Sequence, residues 1–330
     1  TQSMSWFSSP EYTKSKAVVQ YIDKVSYDSG NRKFSTASGE CKTYSFASDN
    51  SSSQINSVTV TGLNPGTTYY YRVGDGVNGH WSELSQFTTT VAKENTKFFV
   101  LGDTQLSGNA EADAADIETM NKVADKIQAT GVKFGVQTGD FVDSASNLTA
   151  WNEILDVFGD NYGNLPIVQV MGNHEYYGGS NAGAISEAIF DVPDKNYYSV
   201  EYGNVYMAVI NCNANLEAAA KWLAAASNCE WKVLTVHQPP YYTNPKGSSA
   251  AYNQYLPSAV DAAGIDFVFS GHDHSYARTE PLTGGKVDKE NGAVYFITGD
   301  LGEKSRSTEY EANNNPDFHF AKIDQDYDAI

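Results

Sequence analysis

Five short polar clusters, each set directly after an apolar run, constrain this chain more than any other feature. The runs Phe98-Phe99-Val100-Leu101, Ile167-Val168-Gln169-Val170-Met171 and Phe267-Val268-Phe269 read as buried strands. The clusters are Gly102-Asp103, Gly139-Asp140, Gly172-Asn173-His174-Glu175, His237 and Gly271-His272-Asp273-His274. In an open α/β sheet the carboxyl ends of the strands share one edge, and ligands bind there. Taken alone, Gly102-Asp103 or Gly139-Asp140 is a turn or a helix cap, and His237 is a histidine at a sheet edge. Together they form a donor set. Carboxylates, an amide and imidazoles suit divalent metals of borderline softness, and there are enough of them for two ions. The residues therefore point to a binuclear metal hydrolase.

The chain before residue 91 has a different rhythm. Alternation in Ser3-Met4-Ser5-Trp6-Phe7, Ala17-Val18-Val19-Gln20-Tyr21-Ile22, Ile55-Asn56-Ser57-Val58-Thr59-Val60 and Thr67-Thr68-Tyr69-Tyr70-Tyr71-Arg72-Val73, with turns at Asn64-Pro65-Gly66 and Gly74-Asp75-Gly76, predicts an antiparallel sandwich. Strands and helices then alternate. Ile117, Met120, Val123, Ala124 and Ile127 fall at helical spacing and Gly131 is a stop signal, so a helix is expected over 111–130. Further helices are expected at 148–158, 182–190, 216–226 and 250–263, a hairpin at 197–210 around Gly203-Asn204, and β structure at 293–298 and 318–323. The domains implied are 1–91 and 92–330.

A formal charge of −18 over 330 residues argues against general nucleic-acid or anionic-membrane binding. It does not exclude a small phosphate substrate, because a metal cluster reverses the local potential. Cys41, Cys212 and Cys229 are too few for a disulfide scaffold and are expected as thiols. No apolar stretch approaches the roughly 18 residues needed to span a bilayer. The start at Thr1 suggests a trimmed chain. Few lysines and many Ser, Thr, Asn and Tyr fit an extracytoplasmic protein.

Hydrolysing a phosphate ester near neutral pH needs a nucleophile stronger than water and compensation for charge on the phosphoryl oxygens. Two metals about 3.5 to 4 Å apart supply both. The order of the five clusters, read with Asp140-Phe141-Val142-Asp143 and Val236-His237, resembles the calcineurin-like metallophosphoesterase family. The segment Gly62-Leu63-Asn64-Pro65-Gly66-Thr67-Thr68-Tyr69-Tyr70-Tyr71-Arg72-Val73, followed by Phe87-Thr88-Thr89, resembles the last strands of a fibronectin type III module. Ser3-Met4-Ser5-Trp6 resembles that module's second strand, which leaves the first strand missing or displaced. With this module, and with 271–278 reading much like the family's last motif, the chain is most similar to purple acid phosphatases. The resemblance implies a four-layer α/β (α+β) metallophosphoesterase sandwich with mixed sheets, preceded by a small all-β fibronectin type III-like sandwich.

By that resemblance Asp103 and His274 hold a first metal, Asp140 bridges, and Asn173, His237 and His272 hold the second; the ions are divalent or di/trivalent Fe, Zn or Mn. A hydroxide between the metals attacks phosphorus in line. His174 stays off the metals, binds the phosphate and protonates the leaving oxygen. Asp273 points away, and Glu175 orients His174 or another imidazole from behind. Purple acid phosphatases carry a tyrosine three residues after the bridging aspartate; here that position is Asp143, so no tyrosinate-ferric centre is expected. Asp143 instead binds through water or caps the following turn. A related branch has a histidine where Gln105 stands, so Gln105 either completes the first metal's shell or is a plain loop hydrogen-bonder. Tyr241, Tyr242 and Asn244 line the pocket or pack, and Arg278 meets phosphate or forms a structural ion pair. The activity implied is phosphomonoester hydrolysis. The rivals are a phosphodiesterase or nucleotide hydrolase on the same scaffold and, from another class, a surface adhesion protein with an inactive phosphoesterase domain.

Overall fold

The computed structural model describes residues 1–10, 16–224, 229–244, 249–302 and 318–324. The N-terminal part has β1 (Gln2–Ser8), β2 (Ala17–Asp23), a short α1 (Lys24–Asp28), β3 (Ser35–Phe46), β4 (Ser51–Val60), β5 (Thr68–Gly74) and β6 (Ser85–Thr88). These strands pair antiparallel in the order β1-β4-β3-β2-β5-β6. The twelve-residue β3 pairs with β2 through its first residues and with β4 from Glu40 to Phe46, so one strand serves both halves. Ala17 and Val19 of β2 then meet Val58 and Val60 of β4 in a shared core, with Tyr71 and Val73 of β5 packed on it. The alternation read from the sequence is the alternation of these inward residues.

Next come β7 (Phe98–Leu101), α2 (Ala110–Gln128), β8 (Phe134–Gln137), α3 (Leu148–Tyr162), β9 (Ile167–Gln169), α4 (Ala182–Phe190), β10 (Tyr197–Tyr202), β11 (Val205–Ile210), α5 (Leu216–Leu223), β12 (Trp231–Val236), α6 (Ser249–Ala263), β13 (Phe267–Ser270), β14 (Tyr276–Thr279), the small hairpin β15 (Leu282–Thr283) and β16 (Lys286–Val287), β17 (Val294–Thr298) and β18 (Phe320–Asp324). Strands β7, β8 and β9 form a parallel sheet. The second sheet runs β10-β11-β12-β13-β17-β14-β18, with β11 to β17 parallel along that order, β10 and β14 antiparallel to their neighbours, and β18 pairing antiparallel with β14.

Apolar side chains on both faces of each sheet set the layering. Val100, Val136 and Val168 of the first sheet pack on Met207, Val209, Val233 and Phe269 of the second. The outer face of the first sheet is covered by α2, α3 and α4 through Met120, Trp151, Ile154 and Ile185. The outer face of the second is covered by α5 and α6 through Leu223, Leu256 and Val260. The result is helix, sheet, sheet, helix, the four-layer mixed-sheet arrangement expected. Helix α3 runs four residues past its expected end because Phe158 and Tyr162 stay buried, Tyr162 lying 4.9 Å from the Phe99 ring. Asparagines start three helices: Asn109, Asn147 and Asn215 each accept a backbone N–H from the first turn. Expected residues 225–226 of the α5 helix lie outside the described residues.

The N-terminal sheet is not a loose appendage. Phe46 and Ile55 are buried in the same cluster as Trp151, Ile185 and Phe190, with Phe7 and Tyr44 against them. Around this contact Ser48 N donates to Ser146 O at 3.0 Å, Asn181 Nδ2 donates to Ser45 O at 2.9 Å, and Asp49 Oδ2 accepts from Thr149 N at 3.0 Å. No disulfide joins the three cysteines; Cys212 follows β11 and Cys229 precedes β12. No described helix is long and apolar enough to cross a membrane.

Candidate metal centre

The loops after β7, β8 and β13 are held in unusual backbone conformations. Among the described residues nine non-glycine residues have positive φ, and five are Asp103, Gln105, Asp140, His272 and His274. Left-handed backbone at a non-glycine residue costs ~1–3 kcal/mol and collects where geometry serves function. The flanking glycines are needed for closeness. A Cβ on Gly271 would sit 2.1 Å from Asp103 Oδ2, and one on Gly172 would sit 2.2 Å from Asp140 Oδ1. Backbone bonds Asp103 N to Gly139 O (3.1 Å) and Gly271 N to His237 O (3.0 Å) tie the loops together.

His237 is fully buried, and its Nδ1 lies 2.9 Å from Thr138 O. A carbonyl only accepts, so Nδ1 carries a proton, and in the neutral ring Nε2 presents a lone pair. That lone pair meets Asn173 Oδ1 at 3.0 Å, Asp140 Oδ2 at 3.1 Å and His272 Nδ1 at 3.2 Å. A proton relieves one such contact; a cation would satisfy all four donor atoms together. Asp140, His237 and His272 offer atoms mutually within 4.8 Å, the spacing of ligands around one ion. Burial alone would lower the His237 pKa, but the Asp140 charge and hydrogen bond, helped by Asp103, raise it well above the ordinary range. For Asp140 burial pulls upward and loses to His237 and His174, which hold its carboxyl below the usual range.

Beside this cluster stands a second. Asp103 is buried and accepts the His272 backbone N–H with both oxygens at 2.9 Å, while Oδ1 is 3.5 Å from His274 Nε2. Burial pushes the Asp103 pKa up to about 7, against the pull of His274 and His237. The other nitrogen of His274 faces Asp300 Oδ2 at 3.6 Å. Gln105 Nε2 donates to Asp140 Oδ2 at 3.1 Å. In that orientation the amide nitrogen faces the carboxylate and restrains it. A donor set of two aspartates, an asparagine and three histidines around these contacts fits borderline divalent metals.

His174 lies at the rim. Its Nδ1 is 2.8 Å from Asp143 O, which leaves Nε2 towards the site, 3.8 Å from Asp140 Oδ2. Its backbone N–H donates to Asp140 Oδ1 at 2.9 Å. Asp143 thus meets His174 through its carbonyl, with its carboxylate Oδ1 4.0 Å from the same nitrogen. Glu175 differs from expectation: it orients no imidazole. Its carboxylate, fully buried, accepts Asp140 N (2.8 Å), Phe141 N (2.9 Å) and Gly172 N (2.7 Å), fastening two loops to each other. Burial and the Asp140 charge push its pKa up to about 8, while those amides pull it down. Asp273 turns away as expected, accepting Thr243 N and Asn244 N at 2.6 and 3.1 Å.

Tyr241 and Arg278 are each open, in the sequence, to a substrate contact or a structural role. Tyr241 is buried in the core, 4.6 Å from the Tyr295 ring and 5.3 Å from Phe318, so packing claimed it. Tyr242 also packs on Phe318. Arg278 is exposed in the middle of β14, opposite Phe296 and Lys322, and not on the loops that carry the ligands. Sequence reading missed Tyr177, whose ring lies 4.7 Å from His174 and whose hydroxyl accepts from Asn173 Nδ2 at 3.1 Å. It also missed Asp300, although Gly299-Asp300 follows an apolar strand just as Gly102-Asp103 does.

Residues 96–276, more than half of the chain, match the family described as calcineurin-like phosphoesterase. The chain belongs to that family. Residues 1–89 match the N-terminal domain of purple acid phosphatases. Among curated proteins, purple acid phosphatase 21 of Arabidopsis thaliana is 25% identical over 303 residues, covering 85% of this chain and 65% of the relative. Purple acid phosphatase 22 of the same plant is 25% identical over 316 residues, covering 89% and 68%. The chain thus spans about two thirds of the length of these relatives. The purple acid phosphatase PPD1 from yellow lupin seeds superposes with a TM-score of 0.77 at 17% identity, covering 99% of this chain and 66% of that one, which shows the shared phosphatase fold.

Proposed function

We propose that this calcineurin-like phosphoesterase is a binuclear metal-dependent phosphatase acting on small phosphate monoesters, with domains 1–91 and 92–330. The observation that carries the reading is the convergence of lone pairs from Asp140, Asn173, His237 and His272, with Asp103 and His274 alongside. Asp140 is the proposed bridge, Asp103 and His274 hold one ion, and Asn173, His237 and His272 the other. When bound, the two ions supply Lewis-acid charge and a water acidified to neutral pH.

The chain's own residues do the rest. Thr138 O fixes the His237 tautomer, Gln105 and the His174 backbone N–H hold the two Asp140 oxygens, and Glu175 holds the loops bearing Asp140 and Asn173 at a constant separation. His174, fixed through Nδ1 by Asp143 O, delivers a proton from Nε2 to the departing alcohol. With Asp143 in the family's tyrosine position, the loaded protein carries Fe, Zn or Mn without tyrosinate colour. Its acidic surface disfavours polyanions, and its composition fits a place outside the cytoplasm.

The test is metal analysis together with hydrolysis of an aryl phosphate monoester and of its bis-ester. Two equivalents of metal and a preference for the monoester are expected, and Asp140→Asn loses metal and activity together. Preference for the bis-ester moves the reading to a phosphodiesterase, and a metal-loaded protein that hydrolyses neither refutes catalysis.

A further inference from the structure

Asp300 has no place in the reading above, yet few side chains here are more conspicuously placed. It follows β17, the strand parallel to β13 in the larger sheet, so it emerges at the edge where β13 hands over to Gly271-His272-Asp273-His274. Its loop is pinned there: Leu301 N donates to Gly102 O at 3.0 Å, and Thr298 Oγ1 donates to Ser270 O at 3.0 Å. The carboxylate is buried, and Oδ2 accepts no hydrogen bond within ordinary distance. A buried carboxylate in that condition is costly unless a positive or polarised group faces it. The group facing it, at 3.6 Å, is His274 Nδ1.

The imidazole of His274 is thereby flanked by two buried carboxylates. Asp300 lies at Nδ1, and Asp103 Oδ1 lies at Nε2, 3.5 Å away. A neutral ring carries one proton, on one nitrogen or the other. With the proton on Nδ1, towards Asp300, the Nε2 lone pair and Asp103 Oδ1 face one another, an arrangement that a cation between them satisfies. With the proton on Nε2, the ring donates to Asp103 and closes that position. Thr138 O makes the same choice for His237 with a carbonyl; for His274 the chain sets a carboxyl group on that side, a partner that also strengthens the ring as a donor to metal.

We infer that Asp300 is a positioning residue that holds His274 in the Nδ1–H tautomer and so sets metal affinity at the position shared with Asp103. The inference rests on the two-ion reading, and its test separates the two. Metal-free protein, prepared with chelator, is titrated with Co²⁺, following bound equivalents by equilibrium dialysis and the visible absorption of the bound ion. Wild type is expected to take up two equivalents. Asp300→Asn, with Asp300→Ser as the second variant should the first not fold by circular dichroism, keeps one equivalent at wild-type affinity and binds the other about 10- to 100-fold more weakly, the usual cost of losing such a partner. His274→Ala weakens the same equivalent, and the double variant His274→Ala/Asp300→Asn is no weaker than His274→Ala alone, because Asp300 acts only through that ring. Two wild-type equivalents with both retained unchanged in the Asp300 variants overturn the inference and spare the two-ion reading, as does an additive double variant. A single wild-type equivalent overturns both.

Discussion

Replacing Glu175 with Gln tests how the two central loops are fastened. The carboxylate uses Oε2 for Asp140 N and Gly172 N and Oε1 for Phe141 N, all within 2.7 to 2.9 Å. A glutamine amide has only one accepting atom. The less damaging orientation aims its nitrogen at Phe141 N, losing one bond and setting two N–H groups face to face; the opposite orientation loses two. One hydrogen bond to a charged group is worth about 1.5–3 kcal/mol, and the orphaned buried donor costs about 1–3. Against this, above about pH 8, where the buried carboxyl is ionised, the substitution also removes a charge that burial disfavours, so the unfolding is followed there. The net expectation is a loss of about 2 kcal/mol. Urea unfolding of metal-free protein, followed by near-ultraviolet circular dichroism, reads it as a lower midpoint at unchanged slope. Metal affinity should fall as well, since Asp140 and Asn173 sit on the two unfastened loops. A variant within about 0.5 kcal/mol of wild type, with unchanged metal uptake, refutes the fastening role.

Three further outcomes are expected. Folded metal-free protein keeps a proton on Asp103 up to about pH 7 that the unfolded chain releases near pH 4, so its stability declines as pH rises through that window, by about 1.4 kcal/mol per pH unit at most for that proton; the raised pKa values of Glu175 and His237 act in the same direction, and chemical unfolding at several pH values, with and without Zn²⁺, should find the steeper slope without metal. His174→Ala should retain both metals while turnover with an aryl phosphate drops roughly 10² to 10⁴ fold, and equal turnover would remove its proton-transfer role. Asp49→Asn should cost about 0.5–1 kcal/mol, since the carboxylate accepts from Thr149 at the start of α3; burial opposes ionisation, but Ser51 and Thr149 lower its pKa, so the wild-type advantage should shrink below about pH 4 and be lost as pH falls through the lowered folded-state pKa in an acid unfolding series.

The fold was legible wherever periodicity was strong. The hairpin around Gly203-Asn204 and the helix Ala182–Phe190 needed only local pattern. The clusters at the strand ends were legible because polar residues after a buried strand have few other uses. Side chains with an apolar body were not: Tyr241 fits a pocket or a core equally well in one dimension, and here Tyr295 and Phe318 complete a core around it. The direction of Glu175 was equally hidden, because its partners are main-chain amides brought close by two turns. Asp300 repeats the strand-then-Gly-Asp signal, but it lies outside the recognised order of motifs, and only the parallel pairing of β17 with β13 brings it to the same edge.

The shared core of Phe46 and Ile55 with Trp151 and Phe190 bears on any attempt to cut this protein in two. A fragment starting near residue 92 would carry a greasy scar where β3 and β4 had been seated, along the flank of the helices that follow β8 and β9. Such a piece should clump before its catalytic power could be judged, so an inactive fragment would say nothing about where the chemistry resides.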